Sequence, residues 1–161
     1  MTGMRQDWIF SGEGWKCGVR VAGVLVRDGK ILLQREENGT EYAVPGGHIQ
    51  IGETLEDGLK REWLEEMGTK ICCQRMLWTE ECFWEWQGRK NHNLSFYFLI
   101  RPEDAAALAD DGLLHAHRDN GHILVEWVPL SRLKSMTVYP EWMHEVISDL
   151  DAPVRHFVAR S

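Results

Sequence analysis

Paired cysteines, long apolar runs, a basic excess and internal repeats are all missing from this sequence, and each absence removes a class of protein. The four cysteines, Cys17, Cys72, Cys73 and Cys82, include no Cys-x-x-Cys spacing. The adjacent Cys72 and Cys73 would point to opposite faces of a strand. Four reduced thiols in an intracellular, cytoplasmic protein are therefore expected, not a disulfide framework. The same lack leaves His115, His117 and His122 without the cysteines of a common zinc site, so they read as a polar loop. No apolar stretch reaches a membrane-spanning length and no N-terminal run resembles a signal peptide, so no membrane partner is expected. Lys and Arg number 18 against 25 Asp and Glu, a formal net charge of -7. That balance argues against non-specific nucleic-acid binding, which needs a basic face. It leaves room for a phosphorylated small molecule if a metal supplies the positive charge.

What is present suits one domain over residues 1–161, with 1–15 as an N-terminal extension and 152–161 as a C-terminal tail. "KCGVRVAGVLVR", Lys16 to Arg27, alternates apolar residues with others and reads as a strand. Asp28-Gly29 marks a two-residue hairpin turn, and Lys30 to Arg35 returns. Glu41 to Val44 forms a short strand stopped by Pro45-Gly46-Gly47. Thr54 and Asp57 have capping-box spacing and Gly68 is a helix stop, which predicts a helix over Leu55 to Met67. Lys70 to Trp86 is rich in β-formers, Gly88 to Asn91 turns the chain, and Leu94 to Ile100 comes back. Pro102 to Asp111 is a short helix or loop. His122 to Val128 is another strand, Pro140 to Leu150 a short helix with proline in its first turn, and Val154 to Val158 a last strand or ordered tail. Strands around two helices predict an α+β or mixed-sheet sandwich.

The predicted helix carries an anomaly. With Leu55 at zero and about 100° per residue, Leu59, Trp63 and Met67 fall at about 40°, 80° and 120°, the core face. Glu66 falls at about 20°, among them, and Glu62 and Glu65 at about 340° and 280°. Solvated glutamates belong opposite the leucines. A carboxylate at a core boundary costs several kcal/mol unless neutralised, and three neighbours at i, i+3 and i+4 repel. Arg61 supplies one positive charge. Hard divalent cations would supply the rest. Gly46-Gly47, just upstream, lets backbone approach a ligand closely.

Gly47, five residues, Glu53, seven residues, then Arg61-Glu62-Trp63-Leu64-Glu65-Glu66-Met67-Gly68-Thr69 resembles the Nudix box, G-x5-E-x7-R-E-U-x-E-E-x-G-U with U aliphatic. All seven specific positions match, a coincidence of roughly one in a million at ordinary residue frequencies. Trp63 and Thr69 depart, standing where the family prefers smaller aliphatics. "RVAGVLVRDGKILLQRE", "YAVPGGHIQIGE" and "VEWVPLSRL" also look like the family's segments, so the similarity runs from about Lys16 to Leu150. It implies a Nudix-type α/β/α sandwich on a mixed sheet.

The resemblance also implies an activity: hydrolysis of a pyrophosphate bond in a nucleoside diphosphate derivative. Mg2+ is the implied cofactor, with Mn2+ as an alternative, and a nucleotide-type small molecule is the implied partner. A homodimer is compatible with this reading. Glu62, Glu65 and Glu66 resemble the metal ligands, and Gly46 the position whose carbonyl joins them. Glu53 and Arg61 resemble the pair that braces loop and helix. Glu62 is the first candidate general base and Glu126 the second, with Glu80, Glu81, Asp119 and His122 still open. Trp84 and Trp86, on one face of their strand with Phe83 on the other, are candidates to stack on a base. Tyr42 and Arg35 are further substrate-binding candidates, as are Trp8 and Tyr139. The proline that often follows the box by about 15 residues in ADP-ribose enzymes is missing from "CFWEWQ", and no coenzyme A or NADH signature is present. Nucleoside triphosphates, oxidised nucleotides, nucleotide sugars and dinucleoside polyphosphates all remain as substrates. The alternatives are a non-catalytic nucleotide sensor, which usually loses a box glutamate, and a structural metal domain, which has no need of Arg61 and Glu53.

Overall fold

The computed structural model describes residues 5–110 and 115–161. Residues 1–4 of the expected extension and Asp111 of the expected 102–111 segment lie outside them. Fifteen elements follow in chain order: β1 (Ile9–Gly12), β2 (Trp15–Val24), β3 (Val26–Arg27), β4 (Lys30–Glu36), β5 (Glu41–Ala43), β6 (Gly46–His48), α1 (Leu55–Met67), β7 (Ile71–Trp86), β8 (Arg89–Pro102), β9 (His115–Ala116), β10 (Ile123–Pro129), a 3-10 turn (Leu130–Ser135), β11 (Thr137–Tyr139), α2 (Met143–Val146) and β12 (Arg155–Arg160).

Two sheets form. The first runs β1-β2-β8-β7-β12 with β6 on β2, and the second runs β11-β5-β4-β10-β9 with β3 on β4. Both are mixed: β2 with β8, β7 with β12 and β5 with β11 are parallel, and the other pairs antiparallel. Successive strand residues alternate between two cores, as a period of two requires. Val21, Leu32, Phe98 and Ile100 join Leu59 and Trp63 of α1 in one cluster. Ala22, Leu33, Tyr97 and Val128 join Leu133, Met143 and Ile147 in the other. Helix, sheet layer, helix: the α/β/α sandwich is present. Leu59 and Trp63 are almost fully buried, and each such side chain contributes about 2–3 kcal/mol.

The helix bounds match the sequence reading. Thr54 Oγ1 accepts from the Asp57 amide, and Gly68 closes the helix in the left-handed region at φ 65°. Four expectations change. The strand foreseen over Lys16 to Arg27 breaks at Leu25: Trp15–Val24 lies in the first sheet, and Val26–Arg27 pairs with β4 in the second. The turn foreseen at Gly88 to Asn91 sits at Gln87-Gly88, both with positive φ, the form that a two-residue hairpin favours. Strand β8 therefore starts at Arg89. The helix foreseen over Pro140 to Leu150 keeps regular geometry only at Met143–Val146, with no side-chain cap at its start. Of the helix or loop foreseen over Pro102 to Asp111, Pro102 ends β8 and 103–110 take the loop alternative. The segments set apart as extension and tail contribute strands β1 and β12, and β12 runs parallel to β7. Among the described residues no helix is long and apolar enough to cross a membrane.

Candidate active site

The two glycines before α1 are fixed by close approach. Gly46 and Gly47 pair with Ala22 and Val21 of β2. A Cβ on Gly46 would lie 2.1 Å from the Val21 carbonyl oxygen, and one on Gly47 would lie 2.4 Å from the Glu62 carboxylate. Strand β6 thus seats backbone directly against the acidic helix.

Arg61 ties the helix to the loop. Its Nε donates to Glu53 Oε1 at 2.6 Å, and its Nη2 donates to Glu53 Oε2 and to the His48 carbonyl, each at 3.1 Å. Its Nη1 donates to Glu62 Oε1 at 2.7 Å and to Glu65 Oε2 at 3.2 Å. Glu53 Oε2 also accepts from the Gln50 amide at 2.8 Å. The Arg61 hydrogen bond, chiefly, holds the Glu53 carboxyl below its usual range, and the same contact holds Arg61 further charged. The pair therefore acts as a brace, since both of Glu53's oxygens are committed.

Glu66 lies on the other side of Glu62. Its carboxyl is pushed up to about 8, first by burial and then by the charge of Glu62, with Arg20 acting in the opposite direction. Its Oε2 is 3.2 Å from His117 Nε2. His117 Nδ1 accepts from the Asp119 and Asn120 amides at 3.3 and 3.2 Å. With Nδ1 so occupied, Nε2 carries the ring's N–H and faces Glu66. The Arg118 amide donates to the Glu66 carbonyl at 2.8 Å, locking this loop to the end of α1. Sequence reading missed His117 and considered it only for zinc.

Of the four expected ligands, Glu62 and Glu66 are brought together, Glu65 is half-exposed on Arg61, and Gly46 is buried against β2. Among the described residues no three His, Cys, Asp or Glu side chains converge closely enough to hold a metal, and Arg61 occupies Glu62 and Glu65. The donor set still fits a hard divalent cation. Burial first, and then the charge of Glu62, raises the Glu66 carboxyl to about 8, and a cation on these carboxylate oxygens would offset both.

The remaining candidates separate. Glu126 on β10 accepts from Arg35 Nε at 3.2 Å and from the Tyr42 hydroxyl at 3.1 Å, and Arg35 lies over the Tyr42 ring. These three form one group on the second sheet. Trp84 and Trp86 do not reach the carboxylates. Gly47, beside Glu62, pairs with Val21, whose row across the sheet continues through Phe96 to Thr79. Trp84 and Trp86 stand five and seven residues further along β7, about 16 and 23 Å away, and Trp86 is 66% exposed at the hairpin tip. Phe83 does lie on the opposite face, stacked on His92. Among the other open candidates, Asp119 sits in the His117 loop near Glu66. Glu80 is buried on Tyr97 and Trp142, Glu81 bonds His156, and His122 is exposed beside Glu37.

The mixed-sheet sandwich thus presents an arginine-clamped acidic helix behind a glycine pair. The NUDIX domain model matches residues 18–150, and the chain belongs to that family. A MutT-like protein of Streptomyces ambofaciens is 47% identical over 55 residues, 33% of this chain and 35% of that one. An ADP-ribose pyrophosphatase of Methanocaldococcus jannaschii is 42% identical over 53 residues, 31% of each. The chain thus spans about a third of the length of these curated relatives. Among solved structures, an ADP-ribose pyrophosphatase from Streptococcus suis superposes with a TM-score of 0.59 at 16% identity, covering 86% of this chain and 98% of that one. A UDP-X diphosphatase gives 0.57 at 19% identity, covering 87% and 66%. At such identities the likeness concerns the fold.

Proposed function

We propose that this protein is a Mg2+-dependent hydrolase that cleaves a pyrophosphate bond in a nucleoside diphosphate derivative. The observation that carries the proposal is the Glu62–Glu66 pair: two partly buried carboxylates at the end of an otherwise apolar face, one of them raised to about 8. They are held in a box whose seven specific residues are all present. Glu62, Glu65 and Glu66 would hold the cation, with backbone at Gly46. When bound, it would neutralise phosphate oxygens and lower the pKa of a water. The chain's own residues do the rest. Arg61 and Glu53 hold the helix at a fixed distance from the loop, so the carboxylates do not reorganise during the reaction. His117 sets Nε2 beside the Glu66 carboxyl, at 3.2 Å. Glu62, against the backbone of Gly47, is the first candidate to accept the proton of the attacking water. Glu126 is the second, though its carboxylate is already engaged by Arg35 and Tyr42.

Names of the relatives support a nucleoside diphosphate as the substrate's common element, with a triphosphate, oxidised nucleotide or nucleotide sugar as the range. The test is nucleoside monophosphate release over a nucleotide panel with Mg2+, with Mn2+ and with chelator. Turnover that needs the cation is expected. Saturable nucleotide binding with no turnover on any member would replace the enzyme by a sensor.

A further inference from the structure

A second concave site lies away from the acidic helix. A pocket of about 520 Å³ opens beside β5 and β11, lined by Arg35, Thr40, Tyr42, Arg132, Ser135 and Thr137, among others. Its chemistry runs against the rest of the molecule. The chain carries a net charge of -7, yet two arginines and no acidic side chain line this pocket. Four hydroxyl groups accompany them, from Thr40, Tyr42, Ser135 and Thr137. Arg35 Nε is held by Glu126 and its Nη1 by the carbonyls of Glu36 and Glu37, and among the described residues its Nη2 has no acceptor. The Arg132 side chain, on the 3-10 turn, has neither a hydrogen bond nor an ion pair among the described residues; its carbonyl accepts from Ser135.

Arg132, with no ion pair among the described residues, the Nη2 of Arg35 and the hydroxyls on one concave wall match a phosphate monoester, whose oxygens accept several charge-assisted hydrogen bonds at once. Glu126 neutralises Arg35, so Arg132 is the cation that the protein leaves for another partner. The second sheet fixes where this pocket stands. Tyr42 on β5 pairs towards Arg35 on β4, which pairs with Leu124 on β10, and Leu124 pairs with Ala116 on β9, next to His117. Three strand spacings therefore separate the Tyr42 wall from the strand that delivers His117 to Glu66, about 14 Å.

We propose that this pocket is a second anion site that binds a phosphate monoester, three strands across the second sheet from the strand that leads to His117. Two sources supply that group: the far end of a substrate that carries its own phosphate, or a separate nucleoside monophosphate or phosphate ion. The site itself does not depend on the hydrolase reading, because phosphate binding can be measured without turnover.

The probes are inorganic phosphate and AMP, titrated by calorimetry and by NMR into the full chain without divalent metal. Arg132→Glu is the test variant, an exposed position whose reversal leaves the core untouched. Glu66→Gln is the control for the acidic site. Saturable binding is expected in the wild type and in Glu66→Gln, weakened about tenfold or more in Arg132→Glu. Unchanged binding in Arg132→Glu, with its melting curve intact, overturns the site, as does no saturable binding in the wild type. Steady-state kinetics then tell the sources apart. A raised KM at constant kcat, for substrates phosphorylated at the far end only, assigns the pocket to substrate. An unchanged KM with lost AMP binding assigns it to a free phosphate ligand. Failure of the hydrolase reading would appear instead as no turnover with phosphate binding retained.

Discussion

Gly46 and Gly47 are adjacent glycines on one short strand, and adding a single methyl group to each should fail in opposite ways. At Gly46 the new Cβ would meet backbone: the Val21 carbonyl oxygen at 2.1 Å and Ala22 Cα at 2.6 Å. Neither can move without parting β2 from β6. Overpacking of this kind costs about 1–3 kcal/mol, and backbone on both sides places Gly46→Ala at the upper end. For a chain of this size about 3 kcal/mol lowers Tm by about 6–12 °C. At Gly47 the three atoms nearest the new Cβ would all belong to the Glu62 carboxylate, the end of a flexible side chain, at 2.4–2.8 Å. Glu62 can swing aside, so stability should fall by less than about 1 kcal/mol. The carboxylate then leaves its place by 1 Å or more, which costs about 100-fold in turnover. Differential scanning calorimetry and nucleoside monophosphate release kinetics on both variants give the two readouts. Wild-type melting for Gly46→Ala would refute the steric reasoning. Turnover of Gly47→Ala within about fivefold of wild type would remove Glu62 from the working site.

Glu66→Gln keeps the size and shape of the side chain beside His117 and should melt within about 1 kcal/mol of wild type, while activity falls at least about 100-fold; circular dichroism beside the release assay checks both. Glu53, whose carboxyl is held below the usual 4.5 by Arg61, contributes stability that is complete at pH 7 and is lost as pH falls through its lowered value. Denaturant unfolding of Glu53→Gln should therefore show a shallower loss of stability below about pH 4.5. Trp84→Ala and Trp86→Ala should leave KM within about twofold, since both stand beyond reach of the acidic helix; a tenfold rise in either would put them back at the substrate.

Local signals carried furthest. The cap at Thr54, the stop at Gly68 and the Asp28-Gly29 turn depend on a few neighbouring residues, and each lies where the pattern placed it. The core face of α1 was legible because periodicity reports one helix's own geometry. The change of sheet at Leu25 was not, since the apolar alternation continues unbroken through the bend and only the pairing partners change. The same limit applies to Trp84 and Trp86. Alternation gave their face correctly, but position along a 16-residue strand depends on which partners it pairs with. His117 was invisible because its partner, Glu66, is distant in sequence, and no spacing links the two. Glu126, Arg35 and Tyr42 were each named separately, and only the register of β4, β5 and β10 makes them one group.

Arg61 directs its guanidinium to five acceptor atoms: two on Glu53, and one each on His48, Glu62 and Glu65. Two of those partners belong to the expected cation site. The acidic helix thus folds with a counter-ion of its own, and its assembly does not wait on a metal. A cation that later takes Glu62 and Glu65 would release Nη1 and leave the three bonds to Glu53 and His48 intact. Folding and loading are separate events here, joined through one planar group that can give up part of its grip without letting go.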